Sequence, residues 1–192
     1  AIASDIPVYL NSPMAVDATE IFRHHRGEHR LSPEQCSALF HTAHMVNSVE
    51  ESKRLNVTKG PMIILSASGL ASGGRVVHHL KAFAPKPNNT ILFVGFQAAG
   101  TRGSAMLDGA ESIKIHGEYI PVRANVEFIS NLSAHADYSE ILDWLGGFEK
   151  APKQTFITHG EPVAADAMRL HIEETLRWQV VVPDYLETVT LS

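Results

Sequence analysis

Short apolar runs that alternate with helix-like segments constrain the fold of this 192-residue chain more than any other feature. Five runs rich in branched and aromatic side chains are typical of buried strands, at residues 62–65, 91–94, 126–129, 154–157 and 180–182. Apolar side chains recur at helical spacing between them, in residues 75–83, 138–145 and 163–178. Because strands that alternate with helices pair in parallel, the pattern predicts an α/β fold with parallel sheets.

Helix starts are marked clearly in the first third of the chain. Ser12 is a predicted N-cap with Pro13 at the first helical position, and this helix is predicted to run to about Arg23. Residues 32–35 and 48–51 both have the spacing of a capping box, which predicts two further helices.

The composition narrows the class of protein. Hydrophobic residues make up 44% and charged residues 19%, which is typical of a soluble globular protein. The sequence has no run long enough for a membrane helix, no signal peptide pattern and no initiator Met. The single cysteine, Cys36, excludes an internal disulfide and a cysteine zinc cluster, and it favours a cytoplasmic location. The net charge of −5 argues mildly against a nucleic-acid binder, although local patches can still be positive.

The first candidate site follows the predicted strand at residues 126–129. Residues 133–138 read Ser-Ala-His-Ala-Asp-Tyr, and Asp137 has capping-box spacing to Glu140. His135 is therefore expected at the carboxyl edge of a strand and beside a helix N-terminus, where α/β sheets bind ligands and anions. An imidazole there can protonate a leaving oxygen as a general acid. The alternative is a hydrogen-bonded turn residue.

The second candidate repeats this arrangement after the strand at residues 154–157. His159 is followed by Gly160, which permits a sharp turn, and by Pro162 at a predicted first helical position. A neutral imidazole at such an edge can bind zinc, although a lone histidine is more often structural. If the two strands are neighbours, His135 and His159 point into one cleft.

Two glycine-containing loops are candidates for phosphate binding. Residues 66–75 link a strand to a helix, and their backbone N–H groups can cradle a phosphate with Arg75 as a charged partner. This loop matches neither the P-loop nor the dinucleotide fingerprint, and packing alone also explains such loops. In residues 95–103, Thr101 and Arg102 are placed to meet a phosphate backbone, with a solvated turn as the alternative.

The other histidines that crowd two segments lack acidic or cysteine partners at metal-binding spacing, and we predict that they are surface residues. They are His24, His25, His29, His41, His44, His78 and His79. Trp144 and Trp178 stand at helical positions and are predicted in the core.

These motifs together resemble the β-CASP nucleases of the metallo-β-lactamase superfamily. Residues 133–137 resemble the Ser-Ala-His-x-Asp segment of that family, and residues 158–161 resemble its His-Gly-Glu segment. The resemblance extends nearly end to end, through residues 7–15, 66–80, 95–109 and 180–183. It is closest to prokaryotic members related to the mRNA 3′-end-processing endonuclease, and more distant to RNase J.

The resemblance implies an architecture and residue roles. Residues 1–123 are expected to be β-CASP domain, and residues 124–192 the returning segment of an αββα metallo-β-lactamase fold with the RNA-specificity motif. His135 matches the general acid, and His159 matches a ligand of one of two zinc ions in the branch that processes RNA. Contact with RNA is expected from Ser66, Ser68, Gly69, Gly73, Gly74, Arg75, Thr101, Arg102 and Ser133.

The sequence departs from the family in one respect. The His-x-His-x-Asp-His cluster, a further His, a bridging Asp and the acidic partner of the general acid are absent, and we expect them upstream. We therefore predict that the full-length protein hydrolyses RNA phosphodiesters, while this chain alone is inactive and zinc-free. An incomplete nuclease fold should also expose apolar surface in residues 124–192, which favours a homo-oligomer.

Two alternatives remain open at this stage. A non-catalytic RNA-binding or scaffold subunit of the same fold is one, although the presence of both His135 and His159 favours the enzyme. The other is a small-molecule α/β enzyme that binds a nucleotide in the glycine-rich loop, and the missing nucleotide fingerprints argue against it.

Overall fold

The structure is a computed structural model that describes residues 5–28, 30–132 and 135–190. The chain divides into two compact units, residues 1–133 and 134–192. Ser133, one of the residues predicted to contact RNA, lies outside the described residues. No helix in the described ranges is long and apolar enough to cross a membrane.

The first unit alternates strands and helices along most of its length. Its elements are β1 (Val8–Leu10), α1 (Pro13–His24), a short 3-10 helix (Arg26–Glu28), α2 (Pro33–His41), β2 (His44–Met45), α3 (Val49–Leu55), β3 (Ile63–Leu65), α4 (Arg75–Phe83), β4 (Thr90–Val94), α5 (Arg102–Leu107), β5 (Ser112–Ile115), β6 (Glu118–Pro121) and β7 (Asn125–Ile129).

Parallel pairing dominates this unit, as the sequence predicted. β1 lies between β2 and β3, and Leu10 at its end pairs with Met45 and Leu65. β4 pairs in parallel with β7. The sequence reading missed the antiparallel β5–β6 hairpin, whose strand β5 alternates exposed residues with the buried Ile113 and Ile115. That period of two was a usable signal for a strand.

The core of the first unit lies between α4, α5 and the strands that follow them. Its buried members are Ala71, Val77, Leu80, Ala84, Phe93, Met106, Ile113, Ile115 and Ile120. The prediction that β4 is a buried strand is only half right. Phe93 is 6% exposed, whereas Leu92 and Val94 are 50% and 45% exposed. An apolar run does not reveal whether one or both faces of its sheet are covered.

The second unit consists of α6 (Tyr138–Gly146), β8 (Thr155–Phe156), α7 (Pro162–Leu176) and β9 (Val180–Val181), with β8 and β9 paired in parallel. Its small core contains Leu145, Ile172 and Val180, and Trp178 packs against it. Trp144, however, is 68% exposed, so its predicted place in the core is wrong. The buried stripe of α6 runs through Ile141, Leu142 and Leu145, and Trp144 lies beside that stripe.

The expected exposure of apolar side chains in residues 124–192 is confirmed. Tyr185 is 94% exposed, Val163 is 84% exposed and Leu186 is 81% exposed.

Candidate functional site

A cleft lies at the carboxyl edge of the first parallel sheet. Asn11 and Ser12 follow β1, and Ser66 and Ser68 follow β3, so parallel pairing brings both loops to the same edge. The cleft has a volume of about 320 Å³, and its lining consists of Asn11, Ser12, Pro13, Met14, Ser66, Ala67, Ser68, Gly74 and Arg75. Four of the residues predicted to contact RNA therefore meet here.

Asn11 is the hub of a buried polar network behind this cleft. Its side chain is fully buried, and Nδ2 donates to Ser52 Oγ at 2.8 Å and to His79 Nε2 at 2.6 Å. Arg75 Nη1 donates to Asn11 Oδ1 at 2.7 Å, which fixes the orientation of the carboxamide. One side chain thus joins α3 and α4 to the end of β1. Sequence reasoning missed Asn11, which stands next to the predicted cap Ser12.

The network also determines the proton position on His79. Because Asn11 Nδ2 is a donor, His79 Nε2 accepts, and His79 Nδ1 therefore carries the proton that it donates to Asn56 Oδ1 at 2.6 Å. Burial, followed by the charges of His78 and Arg75, lowers the pKa of His79 to about 4. His79 is thus neutral near pH 7.

The prediction that His79 is a surface residue is wrong, since it is only 6% exposed. Its spacing of four residues from Arg75 along α4 was the signal that placed both side chains on one helix face.

Arg75 connects the cleft to the loop after β2. Its guanidinium donates to the carbonyl oxygens of Val46 at 2.7 Å and Asn47 at 2.8 Å, in addition to Asn11. The Arg75 guanidinium lines the cleft, and the oxygen atoms that accept its hydrogen bonds are uncharged. Among the described residues its charge forms no ion pair with a carboxylate.

The glycine-rich loop before α4 is held in a strained but well-bonded conformation. Ser68 has φ 73°, and its hydroxyl accepts from the Gly73 N–H at 3.3 Å. Ser66 Oγ donates to the Asn11 carbonyl at 3.1 Å. Gly74 is the N-cap of α4 with φ 72° and ψ −165°, a region that is essentially restricted to glycine. Gly69 does not line this cleft, and a Cβ added to it would lie 4.0 Å from the carbonyl oxygen of Val94.

A second cleft also lies at the start of α4 and shares Pro13, Gly74 and Arg75 with the first. It has a volume of about 420 Å³, and its lining consists of Pro13, Ser72, Gly73, Gly74, Arg75, Val77, His78, Arg102 and His116. Arg102 donates through Nε to the Lys114 carbonyl at 2.6 Å and through Nη1 to the carbonyls of Ala71 at 3.1 Å and Ser72 at 3.2 Å. Gly73 and Arg102, both predicted to contact RNA, therefore lie in this second cleft.

Thr101 caps the helix that follows it, and its contact with RNA stays a prediction. Its hydroxyl accepts from the Ser104 N–H at 3.3 Å as the N-cap of α5, and it donates to the Ala98 carbonyl at 2.6 Å. Thr101 lines neither cleft.

In the second unit, His135 lies two residues before the N-cap of α6. The predicted capping box is confirmed. Asp137 Oδ1 accepts from the N–H groups of Ser139 at 2.9 Å and Glu140 at 3.0 Å, and Glu140 Oε2 accepts from the Asp137 N–H at 3.0 Å. These hydrogen bonds, chiefly that with the Glu140 N–H, lower the pKa of Asp137. The ring of Tyr138 stacks on His171 of α7 at 4.4 Å, which attaches the start of α6 to that helix.

His159 lies between β8 and α7, as predicted. It adopts φ 66°, and Pro162 is the first residue of α7. A Cβ at Gly160 would stand 3.1 Å from Ala165 Cβ, so glycine lets this turn pack closely on the helix. β7, which precedes His135, pairs with β4, whereas β8 pairs with β9. Convergence of His135 and His159 in one cleft therefore stays a prediction.

The described residues do not by themselves fit a zinc ion. In the described ranges, no group of three or more histidine, cysteine or acidic side chains is arranged to hold a metal. His159 is thus at most one ligand of a site that needs others.

Two family models match the chain. Residues 2–106 match the Beta-Casp domain, and residues 115–183 match a domain described as a Zn-dependent metallo-hydrolase RNA specificity domain. Residues 107–114 lie between the two family matches, whereas the two compact units of the structure divide between residues 133 and 134. The boundary at residues 123/124 stays a prediction.

Curated proteins from bacteria and archaea are similar to the chain. Ribonuclease TTHA0252 of Thermus thermophilus is 36% identical over 161 residues, which cover 81% of this chain and 36% of that protein. Transcription termination factor FttA of Pyrococcus abyssi is 29% identical over 208 residues, covering 98% of this chain and 31% of that protein. FttA of Methanosarcina mazei is 30% identical over 151 residues, which cover 76% of this chain and 24% of that protein. The chain thus spans between 24% and 36% of the length of these relatives.

Proposed function

This chain belongs to the β-CASP family, and from that premise we propose that it forms part of a zinc-dependent ribonuclease that hydrolyses RNA phosphodiester bonds. One observation carries the proposal. His135 and His159 each stand just before a helix N-terminus, within the segment that matches the RNA specificity domain of a zinc-dependent metallo-hydrolase. The names of the similar proteins, a ribonuclease and transcription termination factors, support an action on RNA.

We assign the general acid to His135. In phosphodiester hydrolysis, the oxygen of water bonds to phosphorus, the bond from phosphorus to the leaving oxygen breaks, and that oxygen takes up a proton. An imidazole next to the positive end of α6 lies where a phosphate is favoured. The capping box at Asp137 and the stacked ring of Tyr138 hold the start of this helix in place.

We assign His159 as one ligand of a site for two zinc ions in the whole protein. Zinc supplies Lewis-acid stabilisation of phosphate oxygens in such sites. The part of the chain that the structure describes offers no complete ligand set, and in this proposal the remaining ligands come from other parts of the whole protein. In support, His159 follows the last residue of β8 by three positions, at the end of the β8–β9 pair.

RNA is proposed to lie along the two clefts at the start of α4. Gly73 and Gly74 present backbone without side-chain obstruction, since a Cβ at either would meet nothing within 4 Å. Ser66 and Ser68 supply hydroxyls in the first cleft, and Arg75 lines both clefts with a positive charge. Phosphate contacts of this kind position a nucleic acid without reading its bases.

The first test uses the full-length protein and the substitution His135→Gln. We expect chelator-sensitive RNA cleavage to fall about 100-fold or more, since general acids contribute that much, while RNA affinity stays unchanged. His159→Gln should lower the zinc content measured by mass spectrometry. The exposed α2 residue His41 provides the matched control, and His41→Gln should change neither quantity. Full cleavage activity in His135→Gln would refute the assignment.

The second test uses the 192-residue chain alone. We expect it to bind RNA without cleaving it, because two-metal hydrolysis needs both ions. Robust cleavage by the pure chain that stops on addition of a chelator would show that this prediction is wrong. A full-length protein that binds RNA but never cleaves it would instead favour the non-catalytic subunit.

A further inference from the structure

Two histidines without an assigned role meet in the cleft beside the start of α4. His78 lies on α4, His116 lies at the tip of the β5–β6 hairpin, and their ring centroids are 5.0 Å apart. Both line the same cleft as Arg75 and Arg102. We propose that His78, His116 and Arg102 together bind a phosphate group of RNA. The choice of RNA as the source of that group rests on the proposed function, whereas the phosphate site itself rests on the geometry.

The local charge favours an anion. Arg102 and Arg75 form no ion pair with a carboxylate among the described residues, whereas Arg169 is paired with Asp166 and Glu173, each at 2.7 Å. The acidic residue of the hairpin, Glu118, is itself bound to Lys81 at 2.9 Å. The cleft thus concentrates uncompensated positive charge in a chain whose net charge is −5. Such a concentration of one sign of charge attracts the opposite ion.

Arg102 is oriented before any ligand arrives. Three hydrogen bonds from Nε and Nη1 to the carbonyls of Lys114, Ala71 and Ser72 fix the plane of its guanidinium. None of these three hydrogen bonds involves Nη2, so the N–H groups of Nη2 can donate to a phosphate. A guanidinium held in one plane binds a phosphate with little further loss of side-chain freedom.

The hairpin tip brings the second imidazole into place. His116 and Gly117 form a two-residue turn with φ 47° and 86°, the type I′ geometry that favours Asn-Gly. Histidine is tolerated at such a position but is not the residue that best suits the turn. Histidine at position 116 brings an imidazole ring next to the ring of His78. The side chain of asparagine is shorter and carries no ring.

The cleft also has room for a nucleotide. Its volume of about 420 Å³ lies within the range of pockets that hold small molecules. Ser72, Gly73 and Gly74 line it with backbone, and the glycines add no side chain that would block an approaching phosphate. The imidazoles and the guanidinium supply N–H donors that suit phosphate oxygens.

The test is a titration of the 192-residue chain followed by the histidine ring resonances in NMR spectra. Three probes are used: inorganic phosphate, a short RNA with a 5′-hydroxyl, and the same RNA with a 5′-phosphate. We expect the resonances of His78 and His116 to shift with each probe while those of His41 do not. Equal affinity for the two RNAs assigns the site to a backbone phosphodiester, and a preference for the 5′-phosphorylated RNA assigns it to a terminal phosphate.

Substitutions give the second measurement. His78→Gln and His116→Asn should each weaken the binding of the probes about tenfold, as expected for a lost hydrogen bond to a charged group. His116→Asn creates the preferred type I′ turn sequence, so a loss of binding in this variant is not a loss of folding. His41→Gln is the matched control and should bind as the wild type does.

The outcomes separate this inference from the proposed function. Phosphate-induced shifts at His78 and His116 without any RNA binding would support the anion site and contradict the proposed function. Unchanged His78 and His116 resonances at saturating concentrations of all three probes would overturn the site, whatever the nuclease activity of the full-length protein.

Discussion

At the scale of single residues, the neutral imidazole of His79 makes stability depend on pH. Its pKa is lowered to about 4 in the folded chain, from 6.5 in an unfolded one. As the pH falls below 6.5, the unfolded chain takes up a proton that the folded chain does not. The free energy of unfolding should therefore decrease as the pH falls from about 6.5 to about 4, and then level off. The total decrease should be on the order of 3 kcal/mol at most.

This prediction is checked by urea unfolding of the wild type and of His79→Gln between pH 7.5 and pH 4. Glutamine retains one acceptor and one donor for Asn11 and Asn56 but does not titrate, so the variant should show a weaker pH dependence. His41→Gln should retain the wild-type dependence. Identical pH profiles for the wild type and His79→Gln would rule out His79 as the source.

At the scale of elements, the start of α4 depends on one of its two adjacent glycines. Gly74 has φ 72° and ψ −165°, so the substitution Gly74→Ala should cost about 1 to 3 kcal/mol of stability. Gly73 has no such conformation, and a Cβ there would meet nothing within 4 Å. Gly73→Ala should therefore be close to neutral or slightly stabilising.

The pair of variants is compared by thermal unfolding. Both remove a glycine from the same loop, so the difference between them isolates the backbone conformation at Gly74. Equal stabilities of Gly73→Ala and Gly74→Ala would contradict the strained conformation at the N-cap.

At the scale of the whole molecule, exposed apolar side chains of the second unit favour self-association. Val163 is 84% exposed near the start of α7, and Trp144, Tyr185 and Leu186 are also exposed by two thirds or more. We expect light scattering to report a mass above that of one chain, increasing with concentration. Val163→Asp should shift the population toward monomer, because it removes apolar surface and places a negative charge near a helix N-terminus.

The matched control lies in the first unit, where Val57 is 77% exposed. Val57→Asp removes a similar apolar side chain and should leave the association unchanged. A monodisperse wild-type monomer over the tested concentrations would show that the second unit needs no partner.

Local signals were sufficient for most of the helices, though not for α5, and for the loops that carry His135 and His159. Ser12, Ser32, Ser48 and Asp137 each accept the predicted N-cap hydrogen bond, because capping depends on residues within one turn. The predicted span of α4, residues 75–83, also agrees with the structure. The glycine-rich loop of residues 66–74 was also placed correctly at the sheet edge. A loop that follows a strand and precedes a helix must lie at the end of that strand.

The sequence by itself thus determined five of the strands, most of the helices with their caps, and the α/β class, all of which arise from neighbours along the chain. Only the tertiary structure decided that Asn11, Asn56, Arg75 and His79 share one buried network, and that His78 meets His116 from 38 positions away. Such contacts join segments that are distant in sequence. The burial of a polar side chain depends on segments that pack over it from elsewhere in the chain, so the residues next to it in sequence do not predict it.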